Sequence, residues 1–288
     1  MTCIPQTCVL AAVALLGAFI QLPAVAADES HTILQLDFGS EQSVQMTAVG
    51  NVQRDQPGPR PPEFPDFSED NTAVRFDGTG ARLVISDPGT SSAFDFTTGD
   101  TFTAEAWVFV QSIGNGQNMY IVGKGRTHSG EFHQDNQNWA LRIVGDRSQG
   151  KLGFLFASSP ESGAEHWHRW TSEMGFDPRT GWHHVAVQYT FGQPDSIRGW
   201  IDGRTTTGGW DLGGATSRPP VVDNDSIWIG SSMGGNTGNS MNGLIDEVVV
   251  HRGPVSEKEI SSRFNRVGGP RIIGPLPEVM PEIADVPG

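Results

Sequence analysis

Short runs of β-branched and aromatic residues, cut apart by glycine-bearing turns, leave this chain little room to be anything but a stack of antiparallel strands. Residues 32–38 (TILQLDF) alternate apolar and polar side chains, as a half-buried strand does. Comparable runs predict strands at 73–76, 82–86, 102–111, 119–123, 139–144, 152–157, 167–171, 183–190, 198–201, 226–230 and 244–251. Turn signals separate them, among them Asp77-Gly78-Thr79-Gly80, the DPRTG of 177–181, the Asp202-Gly203 pair and the GGNTGN of 234–239. Segment 55–70 carries five prolines and reads as a loop or ordered connection. The one good helix signal spans 256–264, with Ser256 as N-cap and Glu259 completing a capping box. Together these patterns imply an all-β sandwich, jelly roll or barrel and disfavour alternating strand–helix folds.

The first residues have a different character. Residues 9–20 (VLAAVALLGAFI) carry no charge and have the length of a signal-peptide core, too short to span a bilayer. Pro23 and then Ala24-Val25-Ala26 follow, which predicts cleavage after Ala26 and a secreted or otherwise extracytoplasmic protein; an N-terminal anchor is the rival reading, because residues 1–8 lack Lys and Arg. Cys3 and Cys8 both lie in this segment, so the cleaved chain has no disulfide and must rely on its core. We therefore expect a signal peptide at 1–26, one folded domain at 31–264, and a Pro/Gly-rich tail or linker at 265–288. Nineteen Lys and Arg against 33 Asp and Glu give a net charge of −14, a poor match for nucleic acid or anionic membranes. No membrane span is expected after cleavage.

Three segments together carry a family resemblance: TFTAEAWVFVQ at 101–111, GWHHVAVQYT…IRGWIDGR at 181–204, and IWIGSS…MNGLIDEVVVHRGPVSEKEI at 227–260. With RFDGTGARLVI at 75–85, they resemble the laminin-G-like domains of the concanavalin A-like lectin/glucanase superfamily. The resemblance covers about 73–264 and implies a jelly-roll sandwich of two antiparallel sheets with one short C-terminal helix. It also implies a calcium ion, with Asp246 as the first ligand and Asp37 and the Asp77-Gly78 turn as further ones. The bland alternative is that these acids cap turns and pair with arginines. Alternation supports the fold independently. Phe102, Ala104, Ala106 and Val108 share one face of their strand, and Thr103, Glu105, Trp107 and Phe109 share the other. Both faces are largely apolar, so the strand must be covered on both sides and Glu105 must find partners.

Catalysis is not expected. The superfamily's glucanases resemble one another in carrying Glu, Asp and Glu on alternate residues of one strand, and that array is absent. Simple alternation puts Asp246 and Glu247 on opposite faces, and Glu105 has Thr103 and Trp107 two residues away. Six histidines gather mid-chain (His128, His133, His166, His168, His183, His184), and His166-x-His168 has metal-chelating spacing, although packing roles explain such residues more simply. The stretches 126–138 and 160–170 are longer and more polar than the resemblance predicts.

A sugar needs aromatic faces beside polar groups. Trp107 and Trp182 read as core, whereas Trp167, His168 and Trp170, with Trp210 and Asp211 on the Gly-rich 208–214 connection, read as ligand contacts. The expected role is a non-catalytic carbohydrate-binding module for an extracellular glycan or surface glycoconjugate. Adhesion through a cell-surface protein and a divergent glycoside hydrolase are the alternatives.

Overall fold

The computed structural model describes residues 30–39, 44–132, 135–161 and 163–269. The expected signal peptide at 1–26, His133 and the part of the expected tail beyond 269 lie outside the described residues. Within them run sixteen strands: β1 (His31–Leu36), β2 (Thr47–Val49), β3 (Gln53–Pro57), β4 (Thr72–Asp77), β5 (Arg82–Ile85), β6 (Thr101–Val110), β7 (Asn118–Lys124) and β8 (Trp139–Asp146). The second half adds β9 (Gln149–Ala157), β10 (Trp167–Phe176), β11 (Trp182–Thr190), β12 (Arg198–Ile201), β13 (Arg204–Thr206), β14 (Gly208–Leu212), β15 (Ile227–Ile229) and β16 (Asn242–Arg252). One helix, α1 (Glu257–Ser262), follows, and the Ser256 hydroxyl accepts from the Glu259 N–H at 3.2 Å as its cap.

Two eight-stranded antiparallel sheets form the sandwich. The first runs β13-β12-β11-β6-β16-β4-β3, with β1 also on β16; the second runs β14-β10-β9-β8-β7-β15-β5-β2. The expected jelly-roll-like, all-β architecture is therefore present. Between the sheets, Phe102, Ala104, Ala106, Val108 and Val110 of β6 meet Trp139, Leu141, Ile143, Phe154 and Phe156 of β8 and β9 in one buried cluster. The other face of β6 is covered too, as its double apolar pattern demands. Trp107 lies edge-on to Phe64 and Phe67, with ring centroids at 5.0 and 5.1 Å, and stacks on Phe264 at 5.6 Å. The proline-bearing connection and the segment after α1 thus form a lid on the first sheet.

Two expectations need correcting. Residues 53–57 form an edge strand that enters the proline-bearing segment, because Pro57 sits at a sheet edge where its missing N–H is tolerated. The Gly-rich 208–214 connection is not a free loop either: Gly208–Leu212 pairs with β10 as the outermost strand of the second sheet.

Candidate functional site

Strand β16 changes neighbours halfway along. Asn242–Ile245 pairs with β4, whereas Val248–Arg252 pairs with β1. At the junction its register against β6 slips: Asp246 faces Trp107, and Val249 faces Glu105. The extra residue is Glu247, held at φ 48°, a left-handed conformation that is strained for a non-glycine. This bulge overturns the alternation argument. Asp246 and Glu247 do not point to opposite faces; both lie on the outer side of the first sheet, Asp246 against Asn71 and Glu247 in a pocket with Glu105. The slip was legible. In LIDEVVV, Ile245 and Val248 both enter the core at a spacing of three, which a regular strand does not permit.

The pocket holds about 250 Å³. Phe67, Trp107 and Val249 supply its apolar walls, and Asp66, Glu105, Glu247, His184 and Arg263 its polar groups. Glu105 is almost fully buried, and its expected partners are present: His184 Nε2 at 3.1 Å, His251 Nε2 at 3.3 Å and the Arg263 guanidinium. Burial alone would raise its pKa, but the His184 and His251 hydrogen bonds, aided by charge on His184 and Arg263, bring it down to about 2. Glu247 moves the other way, raised by burial and by the charges of Asp37 and Glu105.

Asp246 is wholly buried. Its Oδ2 accepts from Asn71 Nδ2 at 2.8 Å and its Oδ1 from the Glu247 N–H at 2.8 Å. Burial pushes the carboxyl up to about 8, with Glu247 and Asp37 adding to the rise against the Asn71 hydrogen bond. Asp37, just past the end of β1, therefore does come near Asp246. A buried carboxylate with other carboxylates as electrostatic neighbours is the donor chemistry that a hard cation suits. Among the described residues no group of three His, Cys, Asp or Glu could hold a metal on its own, so a calcium ion here would draw on carbonyl oxygens as well. The Asp77-Gly78 turn is not brought to this place. Asp77 pairs with Asn242, four residues along β16 from Asp246 and roughly 13 Å away at strand rise. Its Oδ1 accepts from the Thr79 N–H at 2.8 Å.

The aromatic candidates divide by strand parity. Trp167 lies on the outer face of the second sheet, half-buried, with the Arg126 guanidinium 4.5 Å from its ring centroid. Asp211 is exposed nearby and accepts from Arg169 Nε at 2.6 Å. His168 and Trp170 point inward instead, each 2% exposed. His168 contacts Ser158 Oγ at 2.8 Å and the Gly214 carbonyl at 2.9 Å. Trp210 packs edge-on against Tyr189 and Phe156, centroids at 5.5 and 6.1 Å. His168, Trp170 and most of Trp210 therefore belong to the core: the strand expected at 167–171 is present and runs on to Phe176, and its alternation turns His168 and Trp170 inward. His166 sits in the turn before that strand, facing Glu161 and Glu165 at 3.7 Å, so the His-x-His pair does not converge.

Sandwich and pocket define a β-jelly-roll domain with a small polar site on the outer face of one sheet. A laminin-G family model, described as belonging to the concanavalin A-like lectin/glucanases superfamily, matches residues 77–261, and the chain belongs to that superfamily. The binding domain of Paraclostridial Mosquitocidal Protein 1 is similar in fold, with a TM-score of 0.55 and 13% identity over 81% of this chain and 52% of that one. The binding domain of botulinum neurotoxin serotype D/C VPI 5993 matches with a TM-score of 0.50 and 15% identity, over 81% and 51%. The chain thus spans about half the length of each. At such identities these likenesses speak for the fold alone. No curated protein matches the chain.

Proposed function

We propose that this chain is an extracytoplasmic, non-catalytic carbohydrate-binding module that takes one sugar unit in the pocket beside Glu247. What carries the reading is the pocket's composition: aromatic walls from Phe67 and Trp107, with Asp66, Glu247 and Arg263 as hydroxyl partners. Its volume of about 250 Å³ suits a single ring rather than a drug-sized ligand. A strained non-glycine residue at the same place points the same way, since strain of this kind persists where function needs it. Extracytoplasmic placement rests on the uncharged run at 9–20. Calcium, held by Asp246 and Asp37, is the proposed cofactor; it would neutralise the buried acid and fix the bulge that aims Glu247. A glycan array read with and without a chelator tests this. Binding should be lost about tenfold in Glu247→Gln and Phe67→Ala. Signal equal to a denatured control throughout would refute the reading and favour a cell-surface protein as partner.

One observation favours hydrolysis as a second reading. Glu105 and Glu247 share a pocket while their environments push their pKa values apart, the pattern of a base and an acid. Against it, the Glu105 carboxylate already has His184, His251 and Arg263 as partners. Products from a polysaccharide panel that vanish in Glu247→Gln would establish hydrolysis; a panel without products removes it.

A further inference from the structure

Three carboxylates line the pocket on the outer side of the first sheet, and two of them are engaged within the chain. Glu105 meets His184, His251 and Arg263, and Asp66 Oδ1 accepts from Asn265 Nδ2 at 3.1 Å. Glu247 differs. Among the described residues its carboxylate accepts no hydrogen bond and forms no ion pair. Arg263, the guanidinium of the pocket, is already shared between Glu105 and Glu259, the latter at 3.0 Å. Asp37 and Glu105, the nearest other charges that bear on Glu247, have its own sign. A half-buried carboxylate in such a field is costly unless a positive charge meets it.

The carboxylate is also within reach. Glu247 is half-buried, and its oxygens, unlike the orphaned polar atoms of the interior, are not sealed from solvent. Exposed Asp66 and half-buried Phe67 and Arg263 stand with it at the mouth of the pocket, over a floor of buried Trp107 and Val249. The bulge creates this arrangement. In a regular strand Glu247 would share the face of Ile245, which enters the core. The register slip turns Glu247 out into the pocket instead, and a left-handed φ of 48° is what that costs the backbone. Strain thus holds an unpaired acid at a solvent-open cavity with aromatic walls, and a ring face attracts an ammonium group as a carboxylate does.

We propose that this pocket is selective for amino sugars: the protonated amine of a hexosamine pairs with Glu247, its ring lies against Phe67, and its hydroxyls meet Asp66 and Arg263. The preference for a cation stands on the unpaired Glu247 carboxylate; the sugar class rests on the carbohydrate-binding reading above. The chain's net charge of −14 acts in the same direction, drawing cationic glycans and repelling acidic ones.

Calorimetric titration of the full-length chain at neutral pH tests this, with glucosamine, glucose, glucuronate and cyclohexylamine added separately, in calcium buffer and again in chelator. In whichever buffer sugars bind, glucosamine should bind about tenfold more tightly than glucose, the worth of one charge-assisted pair, and glucuronate more weakly than either. Glu247→Gln should bring glucosamine to the level of glucose, whereas Phe67→Ala should weaken both alike. Glutamine keeps the shape of a side chain that has no partner to lose, so the variant is expected to fold; should it not, the order of titrants on the parent chain decides. Glucose or glucuronate binding as tightly as glucosamine would overturn the selectivity and leave the carbohydrate-binding reading standing. A preference for glucosamine that persists in Glu247→Gln would overturn the assignment to this carboxylate. Cyclohexylamine binding as tightly as glucosamine would overturn the sugar class. No sugar binding at all, by calorimetry or on the array, defeats the carbohydrate-binding reading and this inference with it.

Discussion

Asp246→Asn is the most informative single change. In the folded chain the Asp246 carboxyl is pushed from 3.8 up to about 8. A raised pKa means that the protonated form is the one folding favours. Its stability contribution is therefore complete below about pH 4 and is lost progressively as pH climbs to about 8. At pH 7, roughly three units above the unfolded value, folding must protonate a carboxyl that the unfolded chain leaves ionised, a penalty of about 4 kcal/mol at 1.36 kcal/mol per unit. Asparagine cannot ionise, so it escapes that penalty. It can accept through only one atom, whereas Asp246 accepts from both Asn71 and Glu247, which costs about 1 kcal/mol. The net expectation in chelator is a variant about 3 kcal/mol more stable than its parent at pH 7 and slightly less stable at pH 4. Urea unfolding from pH 4 to 8 measures it, the midpoint moving while the slope stays constant. Calcium should reverse the order. A ligand at a thousandfold excess over its dissociation constant stabilises by about 4 kcal/mol, enough to cancel the penalty in the parent chain and of no use to the variant. A parent-minus-variant difference that stays flat across this pH range in chelator would refute the burial argument, and a parent chain indifferent to calcium would refute the cation.

Three further outcomes follow from the same contacts. Glu105→Gln should destabilise by about 3–5 kcal/mol, because Arg263 and two imidazoles lose a buried carboxylate. The parent's depressed Glu105 pKa gives stability that is present above the unfolded value of 4.5 and lost as pH falls towards about 2; acid unfolding followed by circular dichroism should show the variant lacking that dependence. Trp170→Ala should cost about 3–5 kcal/mol in thermal unfolding, and half-exposed Trp167→Ala about half of that, a ranking that equal losses would contradict. Glu247→Gly should gain about 1 kcal/mol by relieving the φ of 48°, while glycan binding falls; a variant that binds as well as its parent would separate the strain from the site.

These residues also mark how far sequence alone reaches. Local periodicity carries the inner strands: β6 reads as apolar on both faces, and from that single fact come the core, the covering lid and the demand that Glu105 be paired. What periodicity cannot carry is anything decided by a neighbour distant in sequence. Strands β13 and β14 are short and rich in Gly and Thr, and they are strands because β12 and β10 offer them free edges. Trp167 and Trp170 have the same chemistry, yet three residues along a strand reverse the face, so one lies outside and the other in the core. The bulge at Glu247 is the deepest case. It forms where β1 and β4 succeed one another along a single edge of β16. That junction decides at once that Asp246 is buried beside Asn71, that Asp37 comes near it, and that Glu247 shares a pocket with Glu105. The local trace of all this was a phase slip of one residue in LIDEVVV. A slip in an otherwise regular strand, with acids at the point of slippage, thus marks a place where buried carboxyls converge, which the spacing of aromatic residues does not.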